Sequence, residues 1–478
     1  MKIAIVGLGA ASFGTFLALE KYCEKISCLD IFTKKEKISD EKKIYSIDEI
    51  VNFYKKLNYS KPIPPKINIQ TKASDTSEIF KENYEAMDLW GSSCLPLSKE
   101  DLAYNRFEFD EYTESYRDIA KAIRISGCEN DLIEEFLGDT YINEEEITLD
   151  EKLENLLKKF DKSINKNNII LGKARLALSH NKKSNNAESE RIKCECSLNN
   201  CNIHTLFLSN DIERYIQDSR LKNNIIYEKV EYIDFENKKL TYNSIKKKQY
   251  DVIFICAGPK ETMGLLNRSL KIKNFQISDS QSYILPMFSF KKNLRNAKDN
   301  SFSLTSLIGV LRQDHSKNEK EFIQIYKISD ELWYQALPKM FWPLSKILSR
   351  FIYACVIYLD DKYKINYIIN YKNNNVVYKK IEPNSKSKIK KFVRKIRLLL
   401  GDNFKVFKIF LFKKKTSHHF GNLKVDDIPL KTFAHKYEKK GIYFCGSATF
   451  TKLPSISPTF TIMADSNILA KKAILDFK

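Results

Sequence analysis

A short β-branched run, Lys2-Ile3-Ala4-Ile5-Val6, passes directly into Gly7-Leu8-Gly9-Ala10-Ala11-Ser12-Phe13-Gly14 and then into the helical pattern Phe16-Leu17-Ala18-Leu19. This order of strand, tight turn and helix constrains the fold more than any other feature of the chain. A second apolar run, Ile26-Ser27-Cys28-Leu29, ends on Asp30, about 20 residues beyond the glycines, which is the spacing of a dinucleotide-binding βαβ unit. In such a unit Gly7 permits the turn, Gly9 lets the backbone approach a pyrophosphate, and the helix N-terminus offers free N–H groups to it. Asp30 is then the expected acceptor of hydrogen bonds from an adenosine ribose. The third glycine of the fingerprint is replaced by Ser12, with Gly14 two places on. A glycine-rich turn in an ordinary α/β fold is the plainer reading; strand, helix and acid together favour the nucleotide.

The far end echoes the opening. Gly441-Ile442-Tyr443-Phe444-Cys445-Gly446-Ser447-Ala448 reads as a strand running into a glycine, and Pro458 to Ala470 reads as a helix. Between the ends lie three more informative blocks. Leu89-Trp90-Gly91-Ser92-Ser93-Cys94-Leu95-Pro96-Leu97 continues through Tyr112 and Tyr116 to Ile125-Ser126-Gly127. Asp251-Val252-Ile253-Phe254-Ile255-Cys256-Ala257-Gly258 is followed by Glu261, Thr262, Leu265 and Leu266. Ser417-His418-His419-Phe420-Gly421 precedes the closing block, which runs on through Ser457-Pro458-Thr459-Phe460-Thr461-Ile462-Met463-Ala464.

With these five blocks, in this order, the chain resembles a compact bacterial member of the glucose-methanol-choline (GMC) oxidoreductases. The resemblance spans nearly the whole sequence. It implies a Rossmann-like, α/β FAD-binding domain with an inserted antiparallel-sheet substrate-binding domain, and a C-terminal strand and helix returning beside the N-terminal unit. It implies FAD contacts at Gly7, Gly9, Ser12 and Asp30, at Trp90, Gly91 and Ser92, at Val230 for the adenine, at Gly258, and at Gly446 and Ser447. Val230 ends the strand-like run Ile225 to Val230, which reads equally well as plain core. The family's covalent members use a histidine near the flavin loop; no histidine precedes His180 here, so non-covalent FAD is expected.

The resemblance implies oxidation of a CH–OH group by hydride transfer to flavin. A neutral imidazole is the side chain best matched to taking the hydroxyl proton near pH 7. His418, three residues before Gly421, matches the position of the family's catalytic histidine; His419 is its neighbour. Opposite it the family carries a histidine or asparagine, where this chain has Ser457, a hydroxyl that hydrogen-bonds over a shorter reach and is a poor base. The expected substrate is a small alcohol or sugar, with sugar-containing intermediates of surface polysaccharide synthesis preferred because compact bacterial relatives are associated with such pathways. Oxygen, a quinone and a carrier protein all remain open as electron acceptor. Ser457 keeps a second reading alive, a lyase or isomerase that uses His418 for proton transfer without net redox.

The blocks place an FAD-binding domain over residues 1–280 and 407–478 and a substrate-binding domain over 281–406. Within the latter, Phe302 to Leu304, Phe322 to Tyr326, Phe351 to Tyr358 and Ile365 to Ile369 read as strands, and Ser385 to Leu400 as an amphipathic helix. Trp333 to Leu359 gathers bulky apolar residues beside basic ones; it reads as a lid or core helix followed by a buried strand, with a peripheral membrane contact as the alternative.

Lysine plus arginine number 80 against 60 acids, a net +20 over 478 residues. The lysines are spread along the chain with many Asn, Ile and Tyr and no base-reading motif, so nucleic acid is not an expected partner. A non-enzymatic, charge-driven interaction protein is the third reading. The 10 cysteines are irregularly spaced and do not form a secreted disulfide framework; Cys194, Cys196 and Cys201, with His204 nearby, lack a fourth thiolate, and no metal is expected. No leader or apolar run of spanning length is read, so a cytoplasmic protein is expected.

Overall fold

A computed structural model of the chain describes residues 1–34, 92–128, 141–142, 144, 146–147, 149–161, 169–180, 204–206, 209–289, 305–313, 316–327, 351–372, 375–400, 404–406, 412–413 and 421–477. Strand β1 (Lys2–Val6), helix α1 (Ala10–Glu20) and strand β2 (Cys28–Phe32) open it, and α2 (Phe109–Ile123) follows. Next come β3 (Asn223–Ile226) and a three-stranded meander of β4 (Val230–Asp234), β5 (Lys239–Tyr242) and β6 (Lys246–Gln249). Strand β7 (Val252–Ile255) leads into α3 (Gly258–Leu270), and after the second unit and its helix α4 (Lys386–Leu400) come α5 (Leu430–Glu438), β8 (Ile442–Phe444) and α6 (Thr459–Asp476). No helix among the described residues is long and apolar enough to cross a membrane.

The five-stranded sheet has the order β8-β7-β1-β2-β3 and is parallel throughout. Strands β1, β7 and β8 read as apolar runs because both faces of the sheet are covered there, whereas the edge strand β3 opens with Asn223 and Asn224 and is only partly buried. Ile3, Ile5, Leu29, Ile31, Val252 and Phe254 point into one core with Phe13 and Phe16 of α1 and Phe460 and Met463 of α6. Ala4, Val6, Phe32, Ile253 and Ile255 point into the other, against Val230, Leu240 and Tyr250 of the meander region and Met263 and Leu266 of α3. Helix α1 is buried from Ala11 to Leu19, as a helix apolar all round must be. Helix α2 instead buries one stripe, Tyr112, Ser115, Tyr116, Ile119, Ala120 and Ile123, at the three- and four-residue spacing of a single face.

Among the described residues three antiparallel sheets make the rest, the smallest joining Ile125–Ser126, Leu176–His180 and His204–Leu206. A second runs Asn375–Ile381, Ile365–Lys372, Asn274–Asp279, Gly421–Val425, Ile428–Pro429. The third, seven-stranded, has Ser282–Phe288, Ile352–Tyr358, Ser316–Lys327 and Leu307–Gln313 at its centre, with Ile169–Lys173 at one edge. Pairing crosses the boundaries expected from sequence: Asn274–Asp279 pairs with Ile365–Lys372, and Ile169–Lys173 with Leu307–Gln313. At 280/281 the chain changes sheet, whereas the strands on either side of 406/407, Lys405–Val406 and Phe412–Lys413, both pair with Ser282–Phe288. The expected strand ending at Val230 is also divided, since β3 stops at Ile226 and Val230 begins β4. The strand expected at 302–304 lies outside the described residues.

The chain's two ends meet through backbone. A Cβ on Gly14 would lie 1.9 Å from Met463 O, so only a residue without a side chain lets α1 and α6 approach this closely. Gly264, on α3, would by contrast meet only the movable Arg268 side chain, at 3.1 Å. Gly14→Ala is expected to destabilise the protein by about 1–3 kcal/mol through overpacking, more than the roughly 1 kcal/mol gained in helix propensity. Gly264→Ala is expected to leave stability unchanged or raise it by up to about 1 kcal/mol. Urea midpoints of the two variants against the parent check the contrast.

Candidate functional site

The site is built at the C-terminal edge of the parallel sheet. Three strands end there in glycines with positive φ: Gly7 after β1 (115°), Gly258 after β7 (71°) and Gly446 after β8 (83°). At Gly7 a Cβ would come within 2.5 Å of Cys256 O, so the turn cannot hold another residue. A Cβ on Gly258 would meet nothing within 4 Å, which marks open space in front of the first turn of α3. Gly446 lies over α1, its Cβ position 3.2 Å from that of Ala11, so the last strand's turn and the first helix line one hollow.

Gly9 stands at the N-cap of α1, and Ser12 closes the turn: its Oγ accepts from Gly9 N–H at 2.6 Å and donates to Gly9 O at 2.7 Å. Ser12 thus shapes the loop, while the close helix approach that a third glycine would serve belongs to Gly14. Ser447, after Gly446, opens a 3-10 turn, and Gly421 packs on it so tightly that a Cβ there would be 2.6 Å from Ser447 O. Ser457 is buried just ahead of α6. Of the flavin-loop block, Ser92 is held in a left-handed conformation (φ 55°), and its carbonyl accepts from Ala177 N–H at 2.8 Å. The hydroxyls of Ser92 and Ser93 are both buried without a hydrogen-bond partner. Trp90, Gly91, His418 and His419 lie outside the described residues, as do Cys194, Cys196 and Cys201; among the described residues no group of side chains could hold a metal ion.

Asp30 is placed elsewhere than the spacing suggests. It lies inside β2, level with Ala4, while Gly7 N–H donates to Phe32 O at 2.8 Å. Three residues of strand, roughly 10 Å, separate it from the glycine turn. The carboxylate is fully buried and accepts from Lys248 Nζ at 2.5 Å, Tyr250 Oη at 2.6 Å and Asn224 Nδ2 at 3.0 Å. Burial pushes its pKa up, but the hydrogen bonds from Lys248, Tyr250 and Asn224 outweigh it and hold the group below the usual carboxylate range. Its observed work is to pin β6 and β3 to β2. Val230 likewise turns its side chain into the core, 3% exposed, so a contact with a base would have to come from its backbone.

Sequence reasoning missed the clamp that holds the Gly446 turn. The Arg106 guanidinium donates to Phe444 O at 2.9 Å and to Thr449 Oγ1, and lies 3.7 Å from Asp465 and 3.6 Å from Glu438. Asp465 also accepts from Tyr112 Oη at 2.7 Å. Burial raises the Asp465 pKa, against the opposing pull of Arg106. The available signal was Asp465-Ser466-Asn467 in the middle of an otherwise apolar helix. A cavity of about 600 Å³ bordered by Arg106, Lys431, Glu438 and Tyr443 lies beside Gly441, at the start of β8. Gly7, Gly258 and Gly446 do not line it.

These features fit an extended dinucleotide at the edge: three turns closed by glycines of positive φ, open space at Gly258 and unpartnered hydroxyls at Ser92 and Ser93. Asp30→Asn tests the structural assignment of the acid. The Asp30 pKa is depressed on folding, so its contribution is fully present at pH 7 and is lost as pH falls through about 4 and below. The variant is expected to lose about 2 kcal/mol at pH 7, near the low end for a buried pair because Lys248 is 39% exposed. The gap between variant and parent should narrow towards about pH 3, read from urea midpoints at both pH values.

No protein-family model matches the sequence, and no curated protein matches it. Solved structures do match. Pyridoxine 4-oxidase from Mesorbium loti is similar with a TM-score of 0.58 at 10% identity, over 100% of both chains. An FAD-dependent oxidoreductase from Chaetomium thermophilum is similar with a TM-score of 0.55 at 9% identity, over 99% of this chain and 98% of that one. A fungal aryl-alcohol oxidase is similar with a TM-score of 0.52 at 8% identity, over 100% of this chain and 99% of that one. From end to end the chain therefore has the fold these proteins share, a Rossmann-like domain carrying an inserted antiparallel sheet.

Proposed function

We propose that the chain is an FAD-dependent oxidoreductase of GMC type acting on a CH–OH group. The observation that carries this reading is the convergence of Gly7, Gly258 and Gly446, from three distant sequence blocks, on one sheet edge with positive φ at each. The structural neighbours, an FAD-dependent oxidoreductase and an aryl-alcohol oxidase among them, agree with it. Gly7, Gly9 and the N-terminus of α1 would hold the pyrophosphate through backbone N–H groups. Gly446, Ser447 and the unpartnered hydroxyls of Ser92 and Ser93 would line the flavin end, and Trp90 and Gly91, which precede them in sequence, are expected to contribute. Bound there, FAD supplies the hydride acceptor. The absence of histidine before His180 supports non-covalent attachment.

His418 takes the hydroxyl proton of the substrate, as its place before Gly421 suggests, and Ser457 hydrogen-bonds the same oxygen. A serine cannot share the role of base, so His418 carries proton transfer almost alone. The substrate class, a sugar or sugar-containing intermediate of surface polysaccharide synthesis, rests on the resemblance to compact bacterial GMC members.

The purified protein is expected to show a flavin spectrum that bleaches anaerobically with one class among sugars, sugar nucleotides and simple alcohols. His418→Ala should retain FAD and slow bleaching by about 10³-fold. Substrate consumed while the flavin stays oxidised would replace this reading with the lyase or isomerase, and a protein that takes up no FAD on reconstitution would end both.

A further inference from the structure

The depth of Asp30 leaves the adenosine end of the site without its expected acid, and the residues at that end show what stands in its place. Beyond Phe32 the chain continues along β3, with Thr33 N–H donating to Ile226 O at 2.9 Å, and brings Lys34 to the edge. Lys229, in the turn between β3 and β4, comes to the same place. Both lysines bind one carboxylate: Lys34 Nζ is 3.2 Å from Glu261 Oε1, and Lys229 Nζ is 3.0 Å from Glu261 Oε2. Glu261 belongs to the first turn of α3, directly after the open space at Gly258. The three side chains span the tips of β2 and β3 beside the Gly7 turn.

We infer that Glu261, held by Lys34 and Lys229, accepts the ribose hydroxyls of the adenosine half in place of Asp30. The inference rests on the FAD reading above and names the residue of this chain that would recognise the ribose. A carboxylate has about four acceptor sites; the two lysines occupy one on each oxygen and leave one on each for the 2′- and 3′-hydroxyls. The side chain is a third exposed, so it remains reachable, whereas Asp30 is fully buried and already accepts from Lys248, Tyr250, Asn224 and the Cys28 thiol. Burial raises the Glu261 pKa, but the two lysines outweigh it and keep the group ionised, and an ionised acceptor makes the stronger hydrogen bond to a hydroxyl.

The test is calorimetric binding of ADP and of 2′-deoxy-ADP to the full-length apoprotein, beside FAD itself. The parent is expected to bind ADP about tenfold tighter than 2′-deoxy-ADP, the loss of one hydrogen bond to a charged group. In Glu261→Gln that ratio should fall towards one and FAD should weaken, while Asp30→Asn should keep the ratio. A parent that binds FAD without preferring ADP over the deoxy analogue overturns the inference and leaves the cofactor reading standing, and that comparison needs no variant. A ratio that survives in Glu261→Gln overturns it equally. A parent that binds neither FAD nor ADP overturns the cofactor reading, and the inference with it.

Discussion

The contact on which the rest depends is the backbone approach of α1 to α6 at Gly14 and Met463. It joins the first βαβ unit to the last helix, and so fixes where β8 can end. Because β8 pairs with β7, and β7 with β1, the turn at Gly446 is delivered over Ala11 beside the turn at Gly7. The site at the sheet edge is thus composed of both ends of the chain, and neither end forms it alone. Arg106 locks the arrangement by binding the carbonyl at the end of β8 and the hydroxyl of Thr449.

A parallel sheet covered on both faces offers a ligand only its edge, where backbone groups are free. Everything polar beneath that edge must be satisfied within the protein, and Asp30 is the clearest case. Its carboxylate is fully buried and ties β2 to the meander through Lys248 and Tyr250. The charge at the surface of the same edge is arranged differently: Glu261 sits between two lysines and stays partly open to solvent.

Much of this was legible in the sequence. Alternation cannot be seen in a strand buried on both faces, but the apolar runs before Gly7, Gly258 and Gly446 named three strands of the parallel sheet, and the amphipathic pattern from Ser385 found the helix Lys386–Leu400. The depth of Asp30 was not legible, because counting from the glycines assumes that the helix runs straight into the strand. Here α1 ends at Glu20 and a 3-10 turn, Cys23–Lys25, takes up residues before β2 begins. The exchange of strands between the two units depends on pairing between segments far apart in sequence, as does the Arg106 clamp, whose partners lie on α5, β8 and α6. Local periodicity carries no record of either. Spacing identified Gly7 and Gly258 because glycine's requirement is local, a backbone angle that other residues rarely adopt.

The central claim is that the glycine edge of this chain holds one extended FAD. Its most direct test is the identity and amount of nucleotide released when the purified protein is denatured, resolved by chromatography. One FAD per chain, freed without proteolysis, is the predicted result; a nicotinamide dinucleotide in its place, or no nucleotide from protein reconstituted with FAD, would contradict it.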